Sequence, residues 1–214
     1  MKQPMYDEWT KPRIKKIENI FGKNWFLNRN VIDIGCSYGA VGEHLFKLGA
    51  NVTFTDWQQK CLSDISERFK SKYDSEADVF LQDQNQFYEL NRHYDLAVHF
   101  GVLYCLSNWR QSIEIAMHKS DYMILETAID PLGTRDLVIS FTEDEIERHL
   151  KSLGCKFLKI CDPALNSYGK YQWENGHSFQ KYDWIKSDFV GNPPGQANEL
   201  GYVVVPRRMW LVIK

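Results

Sequence analysis

Apolar residues in this chain fall into short runs separated by stretches of helical spacing. Val31 to Ile34 is apolar except for Asp33, and Val52 to Thr55 forms a second run. Asp78 to Leu81, Leu96 to Phe100, Tyr122 to Thr127, Lys156 to Ile160 and Arg208 to Ile213 supply five more. Runs of this length bounded by turn residues predict strands. Helical patterns lie between them, over Ala40 to Leu48, Gln58 to Lys70 and Asn108 to Lys119. Thr142-Glu143-Asp144-Glu145 is a capping box, and it opens a helix that runs to about Leu153 and stops at Gly154. Upstream, Ile14, Ile17, Ile20 and Phe21 share one face of a lead-in helix over Tyr6 to Phe21. Strands alternating with helices predict an α/β fold with a parallel sheet and right-handed crossovers.

Composition narrows the class. At 214 residues and 43% hydrophobic, the chain suits a single domain with a sizeable core. Residues 1–27 form the helical lead-in of that domain. A segment of about 162–206 forms an aromatic-rich insert or cap. The net charge is −2. With no long basic run, the sequence argues against a nucleic-acid partner. No apolar leader and no stretch of membrane-spanning length are visible. None of the five cysteines forms a Cys-x-x-Cys pair, so metal-ligand spacing is absent. Reduced thiols and a cytoplasmic location are the simplest expectation.

Chemistry concentrates in Val31-Ile32-Asp33-Ile34-Gly35-Cys36-Ser37-Tyr38-Gly39. A strand ends beside an acid, a glycine loop follows, and a helix begins. Gly35 and Gly39 let the backbone approach a ligand that a Cβ would block. The helix start offers N–H groups to a polar or anionic group. Asp56 ends the second strand roughly 20 residues past the loop, where a ribose is held in nucleoside-binding sheets. A dinucleotide fingerprint is not met, because Ser37 and Ala40 stand where two of its glycines belong. The pattern Asp33-x-Gly35-x-Ser37-x-Gly39 instead resembles motif I of class I S-adenosylmethionine (SAM)-dependent methyltransferases. The likeness extends over about residues 13–160. "FGVLY", Phe100 to Tyr104, looks like the segment after the fourth strand in tRNA uridine carboxymethyl transferases.

The resemblance implies a three-layer Rossmann-like sheet of about seven strands, mostly parallel with an antiparallel last strand. It implies SAM as cofactor, held by Asp33, Gly35, Cys36, Ser37, Tyr38, Gly39, Asp56, Trp57, Gln82, Asp83, Phe100 and Gly101. Asp33 orients the loop and the methionine amino group, Asp56 accepts the ribose hydroxyls, and Gln82 or Asp83 meets the adenine. Methyl transfer is an in-line displacement, so alignment matters most, and a base only where the nucleophile carries a proton. His99 and Glu126, near the ends of the fourth and fifth strands, are the candidate proton acceptors. Tyr104, Trp173, His177 and Arg207 are candidate acceptor-binding residues, and Arg208 is a further cation at the same strand start. Asn192-Pro193-Pro194 lies too late to be the Asn-Pro-Pro-aromatic motif of amino-group methyltransferases and reads as a turn.

The expected reaction is methyl transfer from SAM to a small-molecule or sugar-containing (glycan) acceptor. A tRNA-directed methyltransferase and a non-catalytic SAM- or nucleoside-binding module are the alternatives. A nicotinamide-dependent oxidoreductase is disfavoured by Ser37 and Ala40.

Overall fold

The computed structural model describes residues 4–86, 92–129, 142–160 and 207–214. Its centre is a seven-stranded sheet in the order β3-β2-β1-β4-β5-β7-β6. The strands are β1 (Asn30–Ile34), β2 (Asn51–Asp56), β3 (Asp78–Leu81), β4 (Tyr94–Phe100), β5 (Ser120–Ala128), β6 (Lys156–Lys159) and β7 (Arg207–Ile213). Neighbours from β3 to β5 pair in parallel, and β7 runs antiparallel to both β5 and β6. The expected mixed sheet with an antiparallel last strand is therefore present. The order reverses between β1 and β4, which leaves a crevice at their carboxyl ends.

Helices α1 (Pro4–Phe21), α2 (Ala40–Lys47), α3 (Gln59–Tyr73), α4 (Trp109–His118) and α5 (Glu143–Ser152) cover the sheet. Side chains alternate across a strand, so register decides which helix each one meets. Asp33 accepts a hydrogen bond from the Gly42 N–H of α2 at 2.9 Å. Val98 pairs with Asp33, and Phe100 and Glu126 pair two positions further on. All therefore face the side covered by α1, α2 and α3. His99 faces the opposite side, where its Nε2 lies 3.0 Å from Ser112 Oγ of α4. Trp210, in register with Leu125, shares that side and donates to Glu147 of α5 at 3.1 Å.

The capping box forms as expected: Glu145 N–H donates to Thr142 Oγ1, and Thr142 N–H donates to Glu145 Oε2. Other boundaries moved. α3 continues past Lys70 to Tyr73, and Asp74 closes it in the left-handed conformation. Lys70-Ser71-Lys72 carries no apolar signal. The extension is held from outside, by Tyr73 packing on Phe46 and Phe69 at 5.2 Å and donating to Glu43.

Glu43 gathers these elements. Arg68 and Lys72 each donate to it at 2.8 Å, and Tyr73 at 2.5 Å. Burial opposes the charge on Glu43, but hydrogen bonds from Lys72 and Tyr73 and the nearby Arg68 outweigh burial and lower its pKa to about 2. A depressed carboxylate stabilises the fold above its unfolded value of 4.5 and loses that contribution as pH falls through about 2. Glu43→Gln should cost about 1–3 kcal/mol at neutral pH, discounted for partial solvent screening. Urea unfolding of both proteins should show the gap closing on acidification.

Candidate active site

β1 ends at Ile34, and the chain turns at once. Gly35 has φ +64° and Gly39 φ +72°. Gly39 is the left-handed residue from which α2 starts. Ser37 also sits at φ 50°, an uncommon position for a residue with a Cβ. The loop is held by backbone bonds from Cys36 N–H to Thr55 O at 2.9 Å and from Gly39 N–H to Cys36 O at 2.8 Å. Asp56, at the tip of β2, adds a side-chain brace. Its Oδ2 accepts from Ser37 N–H at 2.8 Å and its Oδ1 from Gln58 N–H at 2.9 Å. The loop after β3 joins the same end of the sheet, with Gln82 N–H donating to Asp56 O at 2.9 Å.

A chamber of about 120 Å³ opens beside this loop. Asp33, Gly35, Cys36 and Ser37 line it from β1 and its loop, and Ala40 and Val41 from α2. Phe100, Gly101 and Tyr104 line it from the end of β4, and Thr10 and Arg13 from α1. Seven of the expected site residues are thus gathered in one place. Thr10, Ala40 and Val41 were not among them, since nothing local marks a small residue or a threonine as a pocket wall.

Trp57, Gln82 and Asp83 are outside the chamber, along the carboxyl ends of β2 and β3. Trp57 is 66% exposed, a flat apolar face at the surface next to Asp56. Asp83 turns its carboxylate to Asn85 N–H at 2.9 Å and the Gln86 amide at 3.2 Å, while Gln82 donates to Asp83 O. Tyr38 faces a larger cleft of about 940 Å³ between α1, α2 and α3. That cleft is walled mainly by long charged side chains, including Lys11, Lys47, Lys60, Glu67 and Lys72. The smaller chamber is bordered by the glycine loop and the carboxyl ends of β1 and β4, so the smaller one is the candidate site.

Electrostatics separate the chamber groups. Burial raises the Asp33 carboxyl to about 7, against the Gly42 hydrogen bond, and the charge of Asp56 adds to the rise. The Cys36 thiol is pushed up by burial and by both aspartates, which leaves it un-ionised and a poor nucleophile.

Two expectations about proton acceptors are corrected by geometry. His99 is completely buried on the α4 face, away from the chamber, and burial lowers its pKa to about 4. It is a neutral core histidine beside Ser112. Glu126 does face the chamber side, but it is completely buried and paired with Arg13, whose Nη2 lies 3.1 Å from Oε2 and 3.3 Å from Oε1. A carboxylate held by a guanidinium is a weak proton acceptor. The pairing joins residues 113 apart in sequence, and no local pattern announces it.

Arg208, considered with Arg207 as an acceptor-binding cation, turns instead to Glu143 of α5 at 2.7 Å. Lys159 also pairs with Glu143, and with Glu147 at 3.0 Å. This network fixes α5 on β6 and β7. The side chain of Arg207, the residues Trp173 and His177, and the whole 162–206 insert lie outside the described residues, as does Asn192-Pro193-Pro194. Among the described residues, no group of three His, Cys, Asp or Glu is placed to hold a metal ion. No helix there is long and apolar enough to cross a membrane.

Comparison with known proteins agrees with this geometry. Residues 32–119 match the model of a methyltransferase domain. A ubiquinone biosynthesis O-methyltransferase of Colwellia psychrerythraea is 49% identical over 41 residues, 19% of this chain and 17% of that protein. The chain thus matches well under two thirds of that relative's length. A SAM-dependent methyltransferase of Clostridium acetobutylicum superposes with TM-score 0.65 at 14% identity, over 97% of this chain and 91% of the other. Magnesium protoporphyrin IX methyltransferase of Synechocystis, solved with bound S-adenosylhomocysteine (SAH), superposes with TM-score 0.64 at 14% identity, over 100% and 89%. These two show a shared fold. With the matched domain model and the Asp33-x-Gly35-x-Ser37-x-Gly39 loop, they show that this chain is similar to methyltransferases over residues 32–119 and shares the fold of SAM-dependent methyltransferases.

Proposed function

We propose that this protein transfers a methyl group from SAM to a small-molecule or sugar-containing acceptor, with the whole chain acting as one catalytic domain. The observation that carries the reading is the convergence of Asp33 and the loop from Gly35 on one chamber at the carboxyl ends of β1 and β4, with Asp56 of β2 bracing that loop through Ser37 N–H. The residues present fit the cofactor. Each Asp56 oxygen accepts one backbone N–H and keeps a lone pair for a ribose hydroxyl. Gly35 leaves the backbone bare where the methionine end approaches. Trp57 offers an aromatic face to the adenine, and Gln82 and Asp83 lie along its path. Phe100 and Tyr104 supply ring faces suited to a cationic sulfur.

When bound, SAM supplies a methyl carbon on a positively charged sulfur with a neutral leaving group. The chain's task is then to align an acceptor atom and exclude water. With His99 neutral in the core and Glu126 paired, no described side chain in the chamber is placed as a free proton acceptor except Asp33. Alignment of an acceptor that is already nucleophilic, or that loses its proton to solvent, fits this arrangement. The acceptor pocket is assigned to Tyr104 and to the 162–206 segment with Trp173 and His177. A net charge of −2 favours a small acceptor over tRNA.

Calorimetry with SAH and with NAD tests the cofactor. SAH should bind and NAD should not, and the opposite result overturns the reading. Incubation with methyl-labelled SAM and an acceptor panel then tests turnover. SAH binding without transfer to any member would favour a binding module.

The raised Asp33 pKa adds a pH signature. A cationic ligand in the chamber favours the ionised carboxylate, so ionisation must accompany binding below about pH 7. SAM affinity should rise as pH climbs toward about 7 and flatten above it. Calorimetry near pH 6 in two buffers of different ionisation enthalpy should show net proton release. Binding without proton release would remove Asp33 from the cofactor's surroundings.

A further inference from the structure

In the sheet, β3 and β4 are separated by β2 and β1, three strand spacings or roughly 14 Å. Asn85, in the loop after β3, nevertheless meets the residues that open α4, the helix following β4. Its Oδ1 accepts from Ser107 N–H at 2.8 Å and from Ser107 Oγ at 3.1 Å. Its backbone O accepts from Asn108 Nδ2 at 2.8 Å. Asn108 is the N-cap residue of α4, and its side chain makes no capping bond. A residue type favoured for capping is given over to the contact with Asn85.

The start of the same loop is tied to β2. Gln82 N–H donates to Asp56 O at 2.9 Å, and the buried Gln84 donates its amide to Thr55 Oγ1 at 3.4 Å. Within the loop, Asn85 N–H donates to Asp83 Oδ1 at 2.9 Å, and Gln86 N–H closes the turn onto Asp83 O at 3.1 Å. Asn85 is thus bonded at once to the Asp83 carboxylate and to the start of α4. Ser107 and Asn108 are exposed and Asn85 is half-buried, so water replaces these bonds when they break. Their contribution to folding is small. What they set is where the Asp83–Gln86 turn sits.

We propose that Asn85 is a positioning residue, whose side chain clasps the turn carrying Asp83 to the start of α4 and so fixes the adenine side of the cofactor site. The inference rests on the cofactor reading given above and extends it to a residue that acts through Asp83. Without the clasp, the turn is held to the rest of the domain by the Gln82 backbone bond and the longer Gln84 bond. The Asp83 carboxylate then spreads over several positions. Binding must restore the one that meets the base, and that ordering is paid out of affinity.

The test is calorimetry on wild type, Asn85→Ala and Asn85→Asp. The probes are SAH and methylthioadenosine, which keeps the adenosine and lacks the amino-acid arm. Asn85→Ala should bind both about tenfold more weakly than wild type. Asn85→Asp keeps an oxygen for both Ser107 donors and should stay within about threefold of wild type. In an Asp83→Ala background, Asn85→Ala should cost less than about twofold more, because the two residues act as one unit. A merely structural role would instead lower the thermal midpoint and spare affinity at temperatures well below it. Wild-type affinity in Asn85→Ala overturns the proposal. So does an aspartate variant as weak as the alanine one, a loss confined to SAH, or a full tenfold further loss in the Asp83→Ala background. A wild type that binds neither probe overturns the cofactor reading, and this inference with it.

Discussion

Replacing Gly35 by valine should abolish cofactor binding. Gly35 sits at φ +64°, a region that β-branched residues adopt only under strain. A Cβ built there falls 2.3 Å from Val102 Cγ2 and 3.1 Å from Cγ1. The flanking chain cannot easily retreat. Cys36 N–H is bonded to Thr55 O, and Gly101 N–H to Glu126 O, both at 2.9 Å. Relief must come from shifting the loop or the segment after β4, and both line the chamber. We expect at least a ~100-fold loss of SAH affinity, about 2.7 kcal/mol. Calorimetry reads this directly, and far-ultraviolet circular dichroism confirms that the sheet persists. Normal SAH binding by a folded Gly35→Val protein would mean that the loop does not approach the cofactor.

Asp56→Ala should weaken SAH binding by about 1.5–3 kcal/mol, roughly 10–150-fold, the range for losing hydrogen bonds to a charged group. Two losses combine. On the proposed reading the ribose hydroxyls lose their acceptor, and the N–H groups of Ser37 and Gln58 lose theirs. The second loss also loosens the loop that the first depends on. Asp56→Asn keeps one acceptor oxygen but turns an NH₂ toward the other donor, so it should fall between wild type and alanine. Unchanged affinity in Asp56→Ala would move the ribose site elsewhere.

The two proton-acceptor candidates show why some of the site was not legible in advance. β4 alternates between an apolar face, Tyr94, Leu96, Val98 and Phe100, and a face of Asp95, Ala97 and His99, but helices cover both, so the alternation does not tell inside from outside. Period two places His99 and Phe100 on opposite sides, but nothing within the strand says which side α1 and α2 will cover. Glu126 is a costly charge in an apolar strand. Its compensation, Arg13, comes from the other end of the domain's chain. Likewise the side chains that hydrogen-bond Glu43 lie 25–30 residues away, and two of them, Lys72 and Tyr73, sit on a stretch of α3 whose own sequence does not advertise a helix.

What the sequence determined by itself is everything that acts over a few residues. Strand runs and helical spacing set the order of elements. Thr142 and Glu145 close their capping box within one turn. Gly35 and Gly39 adopt the positive φ that makes the loop after β1, and Asp56 stands at the strand tip that braces it. Tertiary structure alone decided which carboxylates are ionised and which histidine is buried. It also turned Arg208 to Glu143, paired Arg13 with Glu126 and brought Thr10 over the chamber. The physical reason is range. Backbone conformation and capping answer to neighbours in sequence. Desolvation and ion pairing answer to neighbours in space, and those are set by strand register and helix packing across more than a hundred residues.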